Sequence, residues 1–231
     1  MLWEASDRVT DIATGWTKCA PLLVREQTLL SSVLTEMREQ LPFALLGLDT
    51  DNDTGFMNET LKACCCDAAN IVFTRCRPYR KNDQAFVEQK NGTVVRRMVG
   101  YRRFEGLEAA TRLAKLYRSA RLFVNFFQPS FKLIAKQRDG ARMRKTYSPP
   151  ATPHQRLVAD ARMSDAVRFR LQETYAGLDP VLLLRDIRAL QERLAALADT
   201  PPAKRTDGVA QPIDLFLASL RTAWKDGYPA D

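Results

Sequence analysis

Carboxylates in two short stretches are the residues best placed to do chemistry. An apolar run, Phe43-Ala44-Leu45-Leu46-Gly47-Leu48, ends in Asp49-Thr50-Asp51-Asn52-Asp53, and Glu88 stands later within Phe86-Val87-Glu88-Gln89-Lys90-Asn91. A short buried strand that breaks into carboxylates at its C-terminal end presents charge at a sheet edge, where open α/β sheets place ligands. Standing alone, the Asp49, Asp51 and Asp53 cluster would read as a solvated turn or a helix-capping stretch. It does not stand alone, because Glu88 with its flanking residues follows, and cations lie between and beyond the two stretches. Arg77, Arg80 and Lys81 lie in the loop after Ile71-Val72-Phe73-Thr74, and Lys90, Arg96, Arg97, Arg102 and Arg103 flank Glu88. Such cations suit phosphate oxygens, which fix the position of a nucleic acid without reading its bases.

The charge of the whole chain points the same way. Residues 75–145 carry 19 Lys and Arg against five Asp and Glu, while all 231 residues carry a net charge of only +8, so the flanks are acidic. A basic middle between acidic ends suits a polyanion, with a solvated basic face as the alternative. The five cysteines include the run Cys64-Cys65-Cys66, but neither a Cys-x-x-Cys pair nor a histidine beyond His154 completes a zinc site. Buried free thiols in a reducing cytoplasm are expected instead. With no apolar run of about 20 residues and no signal-peptide pattern at Met1–Asp7, the expectation is a soluble, unexported protein without membrane contact.

The string Asp51-Asn52-x-x-x-Phe56, followed by Arg77-Pro78-Tyr79 and Val87-Glu88-Gln89-Lys90-Asn91, resembles the catalytic core of integrase-type insertion-sequence transposases. The resemblance covers roughly residues 9–157. It implies an RNase H-like fold and a set of two Asp and one Glu, in which Asp51 matches the second acid and Glu88 the third. The 36 residues between them are close to the family's habitual spacing. It further implies that Asp51 and Glu88 are catalytic and hold Mg2+ or Mn2+ for hydrolysis at a transposon end and strand transfer to target DNA. The chain departs from the common pattern at Asp53 and Gly55. The first acid has no match, because the family's Asp-x-Ala-Thr-Gly-Trp segment, at the end of its second strand, falls on Asp11–Trp16. On this resemblance the chain is expected to be an N-terminally truncated strand transferase of DNA integration, recombination and transposition, with weakened metal binding and no activity alone. The alternative is a non-catalytic DNA-binding remnant that associates with DNA or with an intact transposase.

The elements that must position these residues follow from periodicity. Arg8–Ala13 and Trp16–Leu22 read as strands joined at Thr14-Gly15, and Leu30, Val33, Leu34, Met37 and Leu41 mark a helix over 26–41 that Pro42 ends. Strands at 43–48 and 71–74 bracket a helical segment at 58–69. Asp83 caps a helix over 84–99, and Leu107–Phe126 is another, whose Phe126 and Phe127 read as core rather than as a base-stacking platform. The expected fold class is α/β: an RNase H-like mixed sheet with flanking helices, its first strand missing, then a helical C-terminal region.

The expected organisation is a core over 1–128, a basic, proline-rich linker over 129–153, a helical region over 154–200 and a tail over 201–231 with a short helix. Asp179-Pro180 opens a helix to about Ala198 whose Leu183, Ile187, Leu190, Leu194 and Leu197 form an a/d-like stripe. That stripe suits a protomer contact or packing against a helix over 156–175. A homo-oligomer or an intact transposase is therefore expected as protein partner beside DNA.

Overall fold

The computed structural model of the chain describes residues 6–23, 26–50, 71–75, 96–100, 104, 106–198 and 213–225. Its spine is a helix of 22 residues, Gly106–Phe127, labelled α3 below. Apolar residues on nearly all sides of it are buried, as expected of a helix enclosed by other elements. Before it come β1 (Ser6–Thr10), β2 (Thr17–Pro21), α1 (Gln27–Glu39), β3 (Gly47–Thr50), β4 (Val72–Arg75) and α2 (Arg96–Val99). After it come β5 (Leu133–Asp139), β6 (Arg142–Tyr147), α4 (Pro153–Ala159), α5 (Asp165–Ala176), α6 (Pro180–Ala198) and α7 (Ile213–Lys225). The chain is thus a mixed α/β protein, and its described strands form three two-stranded sheets.

β1 and β2 pair antiparallel with Thr10 opposite Thr17, and β3 and β4 pair parallel with Gly47 opposite Val72. The first connection is longer than the tight turn expected at Thr14-Gly15. Asp11 Oδ2 accepts hydrogen bonds from Thr14 N at 2.7 Å and Thr14 Oγ1 at 2.6 Å, and Gly15 takes a φ of 82° that side chains disfavour. The strand expected at 43–48 begins at Gly47 and takes in Asp49 and Thr50 instead. The reason is packing: Leu41 and Phe43 lie against Trp16, Leu122 and Phe126, so the start of the apolar run serves the core.

Three apolar clusters meet on α3. Ala110 and Ala114 pack with Leu29, Leu30, Val33 and Met37 of α1 and with Phe216 and Leu220 of α7. Leu113, Leu116, Tyr117, Ala120 and Val124 pack with Ile187 and Leu194 of α6. Leu122 and Phe126 join Trp16, Leu157, Leu171 and Leu183. The leucine stripe of α6 is therefore spent chiefly on α3, rather than on the helical region at 156–175. That region is itself two helices, broken at residues 160–164, where Arg168 donates to Asp160 O at 2.8 Å and Val158 O at 3.1 Å. The helices beyond residue 153 share the core of the residues before it. Within the stretch read as a linker, β5 and β6 make a hairpin through Gly140, and the entry at 129–132 and the Pro-rich return to α4 are irregular but bridged at Ser130 and Ala151.

Candidate functional site

In the parallel pair β3–β4, β3 ends directly before the expected acid Asp51 in sequence. Asp49 lies opposite Thr74 and Thr50 opposite Arg75, so β3 and β4 end side by side. Asp51 follows Thr50 directly in sequence, and Arg77 follows Arg75 by two residues. Asp51 and Glu88 lie outside the described residues, as do Arg77, Arg80, Lys81, Lys90, Arg102 and Arg103. Cys64, Cys65, Cys66, Asp53 and the expected helix at 58–69 also lie outside them. Arg96 and Arg97 open α2, whose Met98 and Val99 pack beside Cys19, Leu113 and Ile187. Gln191 of α6 donates to Met98 O at 2.8 Å and ties that short helix to the core. Among the described residues no three His, Cys, Asp or Glu side chains gather as a metal site.

Beneath the strand pair lies a polar cluster that periodicity does not disclose. Every residue of β2 is buried, and Lys18 within it is 1% exposed. Its Nζ donates to Gln40 Oε1 at 2.7 Å. Burial, and secondarily the Arg121 guanidinium of α3, push the Lys18 amine down to about 6, with Glu36 opposing them. Lys18 also lines a cavity of about 30 Å³ with Val9, Leu34, Met37, Leu48 and Ile71, where the hairpin β1–β2 and the strand β3 both rest on α1. That volume is enough for a water molecule and no larger ligand. The cluster therefore reads as an internal support of the sheet. A lysine in the middle of a strand signals an outward face by composition, and only the packing of α1 and α3 on both sides encloses it.

The remaining polar residues of the strand region are committed to structure. Asn125 is fully buried and closes the edge of β2: its Nδ2 donates to Thr17 O at 2.8 Å and its Oδ1 accepts from Thr17 N at 2.9 Å. Asp11 is spent on its turn, as described. His154 is buried between Phe126 and Tyr175, with ring centroids 4.9 and 5.1 Å away, and burial pushes its imidazole below its usual range. Phe126 meets Trp16 edge-on at 5.5 Å, so the aromatic pair after Asn125 is core.

On the surface the most basic described element is the hairpin β5–β6, which carries five Lys and Arg against the single Asp139. All of β6 and nearly all of β5 are exposed. It lies beyond the cations expected at the site, Arg77 to Arg103. The signal that could have found it is Asp139-Gly140, a hairpin turn dipeptide, between two stretches of similar length. No described helix is long and apolar enough to cross a membrane.

No family model matches the chain. It is similar to a protein of Sinorhizobium fredii described as uncharacterized protein y4rM, with 54% identity over 145 residues. That match takes in 63% of this chain and 41% of the relative, so the chain spans about two fifths of the relative's length.

Proposed function

We propose that the chain is an integrase-type, RNase H-like core that acts on DNA in integration and transposition, with Asp51 and Glu88 as its acids. The observation that carries this reading is the parallel pairing of β3 with β4. Both strands end at one edge, so Asp51 and the segment with Arg77, Arg80 and Lys81 follow in sequence from neighbouring strand ends, where open sheets place ligands. The element order of hairpin, helix and two parallel strands also suits that fold. Asp51 and Glu88 would hold Mg2+ or Mn2+, which supplies charge neutralisation at a phosphodiester and activates the attacking oxygen. The cations flanking Glu88, with Arg96 and Arg97 at the head of α2, hold the phosphate backbone in register.

A second reading is a non-catalytic DNA-binding protein that associates with DNA or with an intact transposase. It is favoured by Asp11, which matches a non-catalytic position of the resembling segment and whose Oδ2 accepts from Thr14 N and Oγ1, so that segment offers no replacement for the first acid. With two acids carried over and this one occupied, strand transfer by the isolated chain should be undetectable with either metal. DNA binding separates both readings from an unrelated function. In fluorescence anisotropy with duplex DNA, affinity should fall steeply from 50 to 200 mM salt, by ~10³-fold for about six phosphate contacts. Reversal of Arg96, Arg97, Arg102 and Arg103 to Glu should weaken it at least ~10-fold. Salt-independent binding, or none, would refute the DNA reading; robust strand transfer would refute the inactivity.

A further inference from the structure

We propose that the β5–β6 hairpin is a second DNA contact, a basic ribbon that seats in the major groove of the duplex. It rests on the DNA reading above for the choice of polyanion, and on the hairpin itself for the site. Five cations stand on two short strands with one acid, and among the described residues no carboxylate forms an ion pair with Lys136, Arg142, Arg144 or Lys145. The register puts Lys136 directly opposite Lys145 and Arg138 opposite Met143. Alternation places these four on one face, with Gln137, Arg144, Asp139 and Arg142 on the other. Like charges directly opposite destabilise a strand pair, and two-stranded hairpins are already marginal in water. The fold thus keeps an unfavourable pair on an arm that contributes nothing to the core.

The base of the arm is anchored and its tip is not. Ser130 and Ala151 exchange backbone hydrogen bonds at 3.0 and 3.2 Å, and Arg156 of α4 donates to Ser130 Oγ and Thr14 O, both at 3.1 Å. From that fixed stem the seven residues of β5 extend ~23 Å at the usual rise per residue. A two-stranded ribbon fits the ~12 Å major groove of B-DNA, whereas the narrow major groove of A-form RNA excludes it. Exposed Met143, at 42%, adds apolar surface to the Lys136, Arg138 and Lys145 face.

The test is fluorescence anisotropy of the full chain with a 30-base-pair duplex, comparing the native protein with Lys136→Gln/Arg138→Gln/Lys145→Gln. Because these side chains are exposed, thermal unfolding followed by circular dichroism should be unchanged, and Arg142→Gln/Arg144→Gln provides a second variant on the opposite face. The expected result is at least a ~10-fold loss of affinity in the triple variant and a salt slope shallower by ~2.7. The opposite-face pair should lose less, and duplex RNA should bind the native chain at least ~10-fold more weakly than DNA. Native DNA binding that survives the triple substitution within about twofold overturns the ribbon alone, as does a preference for RNA. Absence of DNA binding by the native chain overturns the ribbon and the DNA reading together.

Discussion

Lys18 shows how far a residue's neighbours decide its chemistry. The unfolded chain would keep this ammonium protonated up to about 10.5, whereas the folded amine gives up its proton near 6. Between those values the unfolded state binds the extra proton, so this group's contribution to stability rises with pH across the interval; its penalty is complete below about 6. Lys18→Met removes the charged form. It should stabilise the protein by ~1 to 4 kcal/mol near pH 6 in urea titrations, with the gain shrinking towards pH 10 as the amine of the unfolded chain nears its own pKa and folding no longer has to strip its proton. A variant whose gain is constant over that range would show that Lys18 titrates normally. The same residue marks a limit of reading by periodicity, since five consecutive buried positions in β2 leave no alternation to detect.

At the scale of elements, the fold is held where α3 meets β2. Asn125 gives Thr17 the two hydrogen bonds that a neighbouring strand would otherwise supply, and it does so with no water access. Asn125→Ala should cost ~2 to 5 kcal/mol in chemical denaturation, because it leaves a buried N–H and C=O unpaired and opens a void beside them. A loss below ~1 kcal/mol would show that the pair is replaced by water. Among the described helices α1, α3 and α6 were legible, whereas the single helix expected over 156–175 is two. α6 runs from Pro180 to Ala198, as its Asp-Pro start and apolar stripe imply, with Asp179 Oδ1 accepting from Val181 N at 2.7 Å. The β5–β6 hairpin was legible only at its Asp139-Gly140 turn, because both its faces are wet, and hydrophobic alternation, the usual strand signal, records a face that is buried. Partner choice was illegible for a similar reason. The stripe of α6 specifies an apolar neighbour, but not that the neighbour is α3.

At the scale of the molecule, a helical core carries two separate surfaces of interest, the shared end of β3 and β4 and the exposed basic hairpin. The strand pair itself was legible near its observed place, although the packing of Leu41 and Phe43 moved the start of β3 to Gly47. The order of elements was legible, whereas the division of the chain near residue 150 was not, because Ile187, Leu194, Phe216 and Leu220 complete the core built by earlier residues. Asp51 and Glu88 are proposed from motif and spacing and lie outside the described residues, so whether they meet in one site is the question to measure. Mn2+ binding followed by electron paramagnetic resonance tests it most directly, with the native chain beside Asp51→Asn and Glu88→Gln. One saturable Mn2+ site is expected in the native protein, weakened at least ~10-fold by either substitution alone, since each removes a ligand from the same ion. Equal Mn2+ binding by all three proteins, or loss on substitution of only one acid, would contradict a shared site.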